Sequence, residues 1–156
     1  MTSARRAFFA LAAFSAIIGT AHAANPTMFR DAGCGCCLKW LEQVKASFGT
    51  KAVIVNSPDM SAVKDKQGVP PALRSCHTVL VGGYVIEGHV PAKDIARLLR
   101  EKPKGVKGLA VAGMPMGSPG MEHGDHREAY KVMTFGPAGQ RVYASYAAGS
   151  SSAHAH

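Results

Sequence analysis

The sequence predicts an α/β fold in the order strand, helix, strand, helix, strand, strand, helix, with an irregular extension behind it. Three observations predict it. Apolar residues recur with a helical period after a cluster of cysteines near residue 35. Elsewhere they fall in short runs of strand length. Two of those runs are separated only by Gly82-Gly83, a hairpin signal.

Residues 27–30 read as a short strand running into the cysteine loop. From Cys37 the residues Cys37, Leu41, Val44 and Phe48 share one helical face, with Trp40 beside it, and Gly49 stops the helix. Residues 52–55, Ala-Val-Ile-Val, read as a buried strand. Ser57-Pro58 supplies an N-cap and a first-turn proline for a helix that ends at Gly68. Val69-Pro70-Pro71 fits neither helix nor central strand. Residues 78–81 and 84–87 form the hairpin. Pro91 opens a last helix whose apolar face is Ala92, Ile95, Leu98 and Leu99, and Pro103 follows its end. A strand–helix–strand unit gives parallel neighbours through a right-handed crossover, and the hairpin adds antiparallel strands beside them. This is the thioredoxin-like arrangement. Residues 104–126 are rich in Gly, Met, Pro and His and predict irregular chain. Residues 131–135 and 141–146 predict two more strands around a Gly-Pro-Ala-Gly turn.

The 156-residue chain carries a formal net charge of +8. Its basic residues are scattered and not interleaved with aromatics, which speaks for a solvated surface and against a nucleic-acid partner. Arg5-Arg6, the apolar run at residues 8–18 and Ala21-His22-Ala23 read as a secretory signal peptide cleaved after Ala23. The run is shorter than a membrane span, and no second apolar span follows. The expected organisation is a signal peptide over 1–23, a thioredoxin-like metal-binding domain over 24–103, an extension over 104–146 packing on the site, and a disordered tail over 147–156. The expected location is the periplasm.

Four cysteines follow the cleavage signal: Cys34, Cys36, Cys37 and Cys76. Three of them within four residues cannot all bridge to separate distant partners when only one other cysteine exists. The cluster precedes a helix, whose N-terminal N–H groups and partial positive charge favour thiolate over thiol. Cys34-x-x-Cys37 has the spacing of a redox pair, and if the chain is an oxidoreductase these are its catalytic residues. Cys36 is surplus to dithiol exchange. Clustered thiolates suit soft metals and can bridge several ions. Zinc also accepts four cysteines, but its sites usually draw on two separated knuckles. A plain disulfide with one spare thiol remains a third reading. Cys76 begins the third predicted strand, whose start lies beside the first helix N-terminus in a thioredoxin-like fold, so it can face the cluster. Strand alternation then points His77 the other way, leaving it the weaker candidate. His89 ends the fourth strand and could reach a metal at the same edge.

Met114, Met116 and Met121 lie in a GMPMGSPGM segment without helical spacing. Thioether sulfur selects Cu(I) and Ag(I) over zinc, which turns the metal preference towards copper. His123, His126, His154 and His156 could scavenge Cu(II).

Several motifs together resemble the CopG-type proteins of Gram-negative bacteria, also called the DUF411 family, which occur with copper-resistance systems. The motifs are CGCCLKW at 34–40, SCHT at 75–78, EGHVPA at 87–92 and GMPMGSPGME within 113–122. The resemblance runs from about Met28 to Tyr146. It implies a thioredoxin-like domain with a C-terminal extension and a cysteine-bridged cluster of several copper ions. On this chain the cluster would be held by Cys34, Cys36 and Cys37, with Cys76 the natural fourth. It also implies a possible redox role, interconverting Cu(I) and Cu(II). The expected function is thus copper binding in metal resistance, with thiol or copper oxidoreduction at the same site as the alternative. The expected ligand set is Cys34, Cys36, Cys37, Cys76, Met114, Met116, Met121 and His89. The expected ions are Cu(I) and then Cu(II), with zinc or silver behind them. The expected partners are metal ions and other periplasmic copper-handling proteins, and the chain is expected to be a monomer.

Overall fold

The computed structural model describes residues 25–49 and 51–150. The predicted signal peptide and the histidines at 154 and 156 lie outside the described residues. The elements run β1 (Thr27–Arg30), α1 (Gly35–Val44), β2 (Val53–Asn56), α2 (Met60–Gln67), β3 (His77–Val81), β4 (Tyr84–Glu87), α3 (Ala92–Glu101), β5 (Gly108–Ala110), β6 (His126–Arg127), β7 (Tyr130–Phe135), β8 (Arg141–Tyr146) and β9 (Gly149–Ser150). Short 3-10 turns follow α1 at Lys45–Phe48 and precede β3 at Pro71–Leu73.

One sheet has the order β2-β1-β3-β4-β5-β7-β8. β1 pairs parallel to β2 and antiparallel to β3, and β3 pairs antiparallel to β4. The β3–β4 turn is Gly82-Gly83, both at positive φ (56° and 83°), the backbone a two-residue hairpin loop requires. The register aligns Met28, Val79, Ile86 and Leu109 in one row across four strands, and all four are fully buried. Against that row pack Trp40, Leu41 and Val44 of α1 and Ile95 and Leu98 of α3. Full burial of each such aliphatic side chain stabilises the fold by about 1.5–3 kcal/mol. A smaller cluster, Val69, Leu73, Val85, Ala110 and Phe135, forms a second core.

Four sequence expectations change. α1 begins at Gly35, two residues before Cys37, which places Cys36 and Cys37 in its first turn and Cys34 at its N-cap. The cap of α2 is Asp59, whose carboxylate accepts from Ala62 N at 2.9 Å, while Ser57 folds its hydroxyl onto the Asp59 carbonyl. β2 is not buried: it is the sheet's outer strand, and Val53, Ile54 and Val55 are 49%, 45% and 36% exposed. An apolar β-branched run reports strand propensity but not how many neighbours the strand has. Finally, the glycine-rich extension is not wholly irregular. Gly108-Leu109-Ala110 enters the sheet parallel to β4, and β7 and β8 continue it. Gly108 fits there because a Cβ would meet Val85 O at 2.1 Å and the Phe135 ring at 2.7 Å. Within the segment expected as a loose tail, Gly149–Ser150 pairs with His126–Arg127. Among the described residues, no helix is long and apolar enough to cross a membrane.

Candidate metal centre

The loop between β1 and α1 is held by its own backbone chemistry. Asp31 closes it, accepting from Gly33 N with its carboxylate at 2.7 Å and from Cys34 N with its carbonyl at 3.1 Å. The buried Arg30 guanidinium donates to Ala32 O and Cys34 O, both at 2.8 Å, and to Asn56 Oδ1 at 3.1 Å. Cys34 is thereby fixed at the N-cap of α1. No acidic residue stands in the helix's first turn, so its positive end is left for the sulfurs. Cys34 and Cys37 are joined by a disulfide, and Cys36 Sγ lies 3.5 Å from Cys34 Sγ.

Cys76 arrives from the other side. It occupies a bend just before β3, not the strand itself. The ligand atoms of Cys34, Cys36, Cys37 and Cys76 all lie within 4.8 Å of one another. Sulfurs on a tetrahedral ion at about 2.3 Å are about 3.8 Å apart, so the group needs to contract by only about 1 Å. The disulfide must first be reduced, because only thiolates are strong ligands.

Cys76 also belongs to a second group, with His77 and His89, again within 4.8 Å. Its sulfur sits between His77 Nδ1 at 3.2 Å and His89 Nε2 at 3.0 Å. His77 therefore does not point away from Cys76. Alternation holds only between residues that are both in a strand, and Cys76 is outside β3. The His77 ring packs against Trp40, with centroids 4.3 Å apart. Its Nε2 is buried and has no hydrogen-bond partner, which costs about 1–3 kcal/mol.

His89 follows β4. Gly88 lets its backbone lie against the Cys76 segment: φ is +69°, and a Cβ would meet Ser75 Cβ at 2.4 Å and Val111 O at 2.6 Å. His89 Nδ1 lies 2.8 Å from Pro119 O. A carbonyl can only accept, so Nδ1 carries the proton, and Nε2 turns its lone pair to Cys76. A histidine whose far nitrogen is held by a carbonyl is the usual form of an oriented metal ligand.

Burial pushes the Cys76 thiol up to about 12, and the neighbouring Cys36 sulfur adds to this. Burial lowers His89 and takes His77 well below the ordinary histidine value, with the neighbouring His89 and Lys64 opposing a second positive charge at His77. Both imidazoles are thus neutral and able to coordinate. The Cys76 thiol must hand its proton to solvent when a metal binds.

A buried polar group holds Cys76 from the opposite side. Glu87 Oε1 accepts from Lys64 Nζ and from Ser75 N, both at 2.7 Å, and Oε2 accepts from Thr78 Oγ1 at 2.6 Å. Ser75 also donates its hydroxyl to Gly113 O. The methionine-rich loop closes over the remaining side. Pro119 holds His89, and Gly120, at φ +80°, comes so near α1 that a Cβ would meet Trp40 N at 2.7 Å and Cys36 O at 2.9 Å. Met116 and Met121 are partly buried in this loop, whereas Met114 is 52% exposed. His123 and His126 are exposed beyond it.

The family model described as "Protein of unknown function, DUF411" matches residues 73–121. That span holds Cys76, His77, His89 and the methionine loop. Two solved structures are similar along nearly their whole length. "Copper resistance protein copG- Form 2" is 45% identical, with 78% of this chain and 97% of that chain covered and a TM-score of 0.72. "Copper resistance protein copG- Form 1" is 44% identical, with 79% and 97% covered and the same TM-score. No curated protein is significantly similar to the chain.

Proposed function

The chain belongs to the CopG-type copper-resistance family, and from that membership and the sulfur geometry we propose that it is an exported, periplasmic copper-binding protein of metal resistance. Cys34, Cys36, Cys37 and Cys76, once reduced, take up Cu(I) as bridging thiolates around more than one ion. His89 and His77 add nitrogen ligands on the Cys76 side, and Met116 and Met121, partly buried where Met114 is 52% exposed, are the thioethers offered to complete the shell. The observation that carries this is the position of Cys76, within 4.8 Å of the three other cysteine sulfurs on one side and of two imidazoles on the other. A thiolate shared between two ligand groups is what a multinuclear soft-metal site needs. The order β2-β1-β3-β4 with α1 entered through the cysteines supports the thioredoxin-like reading of the domain.

The test is an anaerobic titration of the fully reduced chain with Cu(I), followed by elemental analysis. More than one tightly held copper per chain is expected. A single zinc per chain with no preference for copper would reject the reading.

The Cys34–Cys37 disulfide favours a second activity at the same place. The two thiolates can each give one electron to a Cu(II) ion, forming the S–S bond and leaving two Cu(I). Starting from thiols, two protons also leave. Cu(II) added without oxygen to the reduced chain should yield two Cu(I), trapped by a colorimetric chelator, for each pair of thiols lost. Thiols unchanged in number would exclude it.

A further inference from the structure

The Cys34–Cys37 bond leaves two thiols, and the fold brings those two together. Cys36 sits in the first turn of α1 and Cys76 in the bend before β3, far apart in sequence. Both are free thiols and both are partly exposed, so an oxidant can reach them. Their sulfurs lie within 4.8 Å of each other. A disulfide needs about 2.0 Å, and rotation of the two side chains between staggered positions can supply the closure. Cys76 stands outside the β3 ladder, so adjusting it breaks no strand pairing. While the first bond stands, Cys36 can bond within the chain only to Cys76. Cys34 and Cys37 are each other's partners, and the sequence holds four cysteines in all.

We propose that Cys36 and Cys76 are a second redox-active pair, which closes a disulfide between α1 and the bend before β3 when Cu(II) or an organic thiol oxidant meets the reduced chain. The two thiols give one electron each to two Cu(II) ions. The S–S bond forms, two Cu(I) are left and two protons pass to solvent. Together with the Cys34–Cys37 pair, one chain turns four Cu(II) into four Cu(I) and releases four protons. The doubly oxidised chain keeps no thiolate and so loses its hold on soft metal. The inference deepens the copper redox activity proposed above and rests on it for the metal as oxidant; the bond itself needs no metal.

The test has two anaerobic arms, both starting from the fully reduced chain. In the first, metal-free arm the oxidant is diamide, an azo compound that takes two electrons and two protons for each disulfide formed. Trypsin cuts after Arg30, Lys39, Arg74 and Lys93, so Cys34, Cys36 and Cys37 stay on residues 31–39 and Cys76 on residues 75–93. Mass spectrometry without reduction should find these two peptides joined and all four thiols lost. In the second arm Cu(II) is added with an excess of a Cu(I) chelator, and four Cu(I) per chain are expected. Cys36→Ser and Cys76→Ser should each abolish the cross-link and halve the Cu(I) formed to two. The peptide map of the unaltered chain needs no variant to fold. Unjoined peptides after diamide, or a cross-link that survives Cys36→Ser, overturn the pairing. A yield of only two Cu(I) from the unaltered chain overturns the pair as a copper reductant. If no Cu(I) forms at all, the copper redox reading fails instead, and the diamide arm alone decides the bond.

Discussion

Cys76→Ser tests the shared-ligand idea most sharply. Serine keeps the size of the side chain and replaces sulfur by a hydroxyl that does not bind soft metals. Cys76 is only partly buried, so the change should cost little stability, about 1 kcal/mol. Its effect on metal should be far larger. Four-ligand thiolate and imidazole sites are worth about 10–16 kcal/mol in total, or about 3–4 kcal/mol per ligand. At about 1.4 kcal/mol per factor of ten, losing one ligand weakens the site roughly 10²- to 10³-fold. Cys76 is the one residue in both ligand groups, so its loss should also lower the number of coppers held. Cys36→Ser, confined to one group, should lower affinity with a smaller loss of number. The assay is competition against a Cu(I) chelator under argon, with elemental analysis of the desalted protein and a thermal melt of the metal-free form. If Cys76→Ser keeps the full copper count with less than a tenfold loss of affinity, the two groups do not share a ligand and the reasoning fails.

Three further outcomes follow from the surroundings of the site. Glu87→Ala leaves the buried Lys64 ammonium unpaired and should cost about 3–5 kcal/mol in urea unfolding; Lys64→Met/Glu87→Leu should recover most of it, and no difference between the two variants would count against a buried ion pair. Gly120→Ala places a Cβ at φ +80° within 3 Å of the α1 backbone, with an expected cost of about 2–4 kcal/mol and weaker copper binding as Pro119 leaves His89; a melt unchanged within error would show that the loop does not pack there. The metal-free chain should lose stability as pH falls below about 6.5, because the unfolded chain takes up protons on both histidines at a higher pH than the folded chain, where burial holds His77 and His89 below the ordinary histidine value. Urea midpoints at pH 7.5 and 5.0 measure this, and His89→Gln should reduce the slope, whereas an unchanged slope would mean that His89 titrates alike in both states.

Much of the fold was legible because its signals are local. Gly82-Gly83 between two β-branched runs specifies a hairpin whatever surrounds it. The helical face of Leu41 and Val44 is buried where the periodicity puts it. What the sequence hid depends on tertiary placement. β2 has the composition of a buried strand, and only the strand order shows it at an edge. The sequence put the cap of α2 at Ser57, and only the structure shows that hydroxyl serving the local turn while Asp59 caps the helix. β5 is three residues long, too short for any period, and its glycine reads as punctuation until Val85 and Phe135 are seen against it. At the site, the CxCC cluster announced itself by spacing. His77 was discounted because alternation was applied one residue before the strand begins. The bulky Trp40 beside its ring could not be placed from sequence.

The centre draws on four separate parts of the chain: the first turn of α1, the bend before β3, the exit of β4 and the loop of the extension. Each is anchored by a contact that a metal does not supply. Arg30 holds the Cys34 carbonyl, Glu87 holds Ser75 N, Trp40 Nε1 donates to Val90 O at 2.9 Å one residue after His89, and Pro119 O orients the His89 ring. The candidate ligands therefore stand together with no ion present, which would spare the ordering cost that binding otherwise carries. The choice between the two proposed activities lies in the sulfur chemistry. The Cys34–Cys37 bond and a four-thiolate cluster are mutually exclusive uses of the same two atoms, while Cys36, Cys76, His77 and His89 are already grouped with the disulfide formed. On the proposed function, a pocket in which only two ligands change state would pass between closed and metal-binding forms without moving its scaffold, and the two proposed activities, copper binding and copper redox chemistry, would share one site.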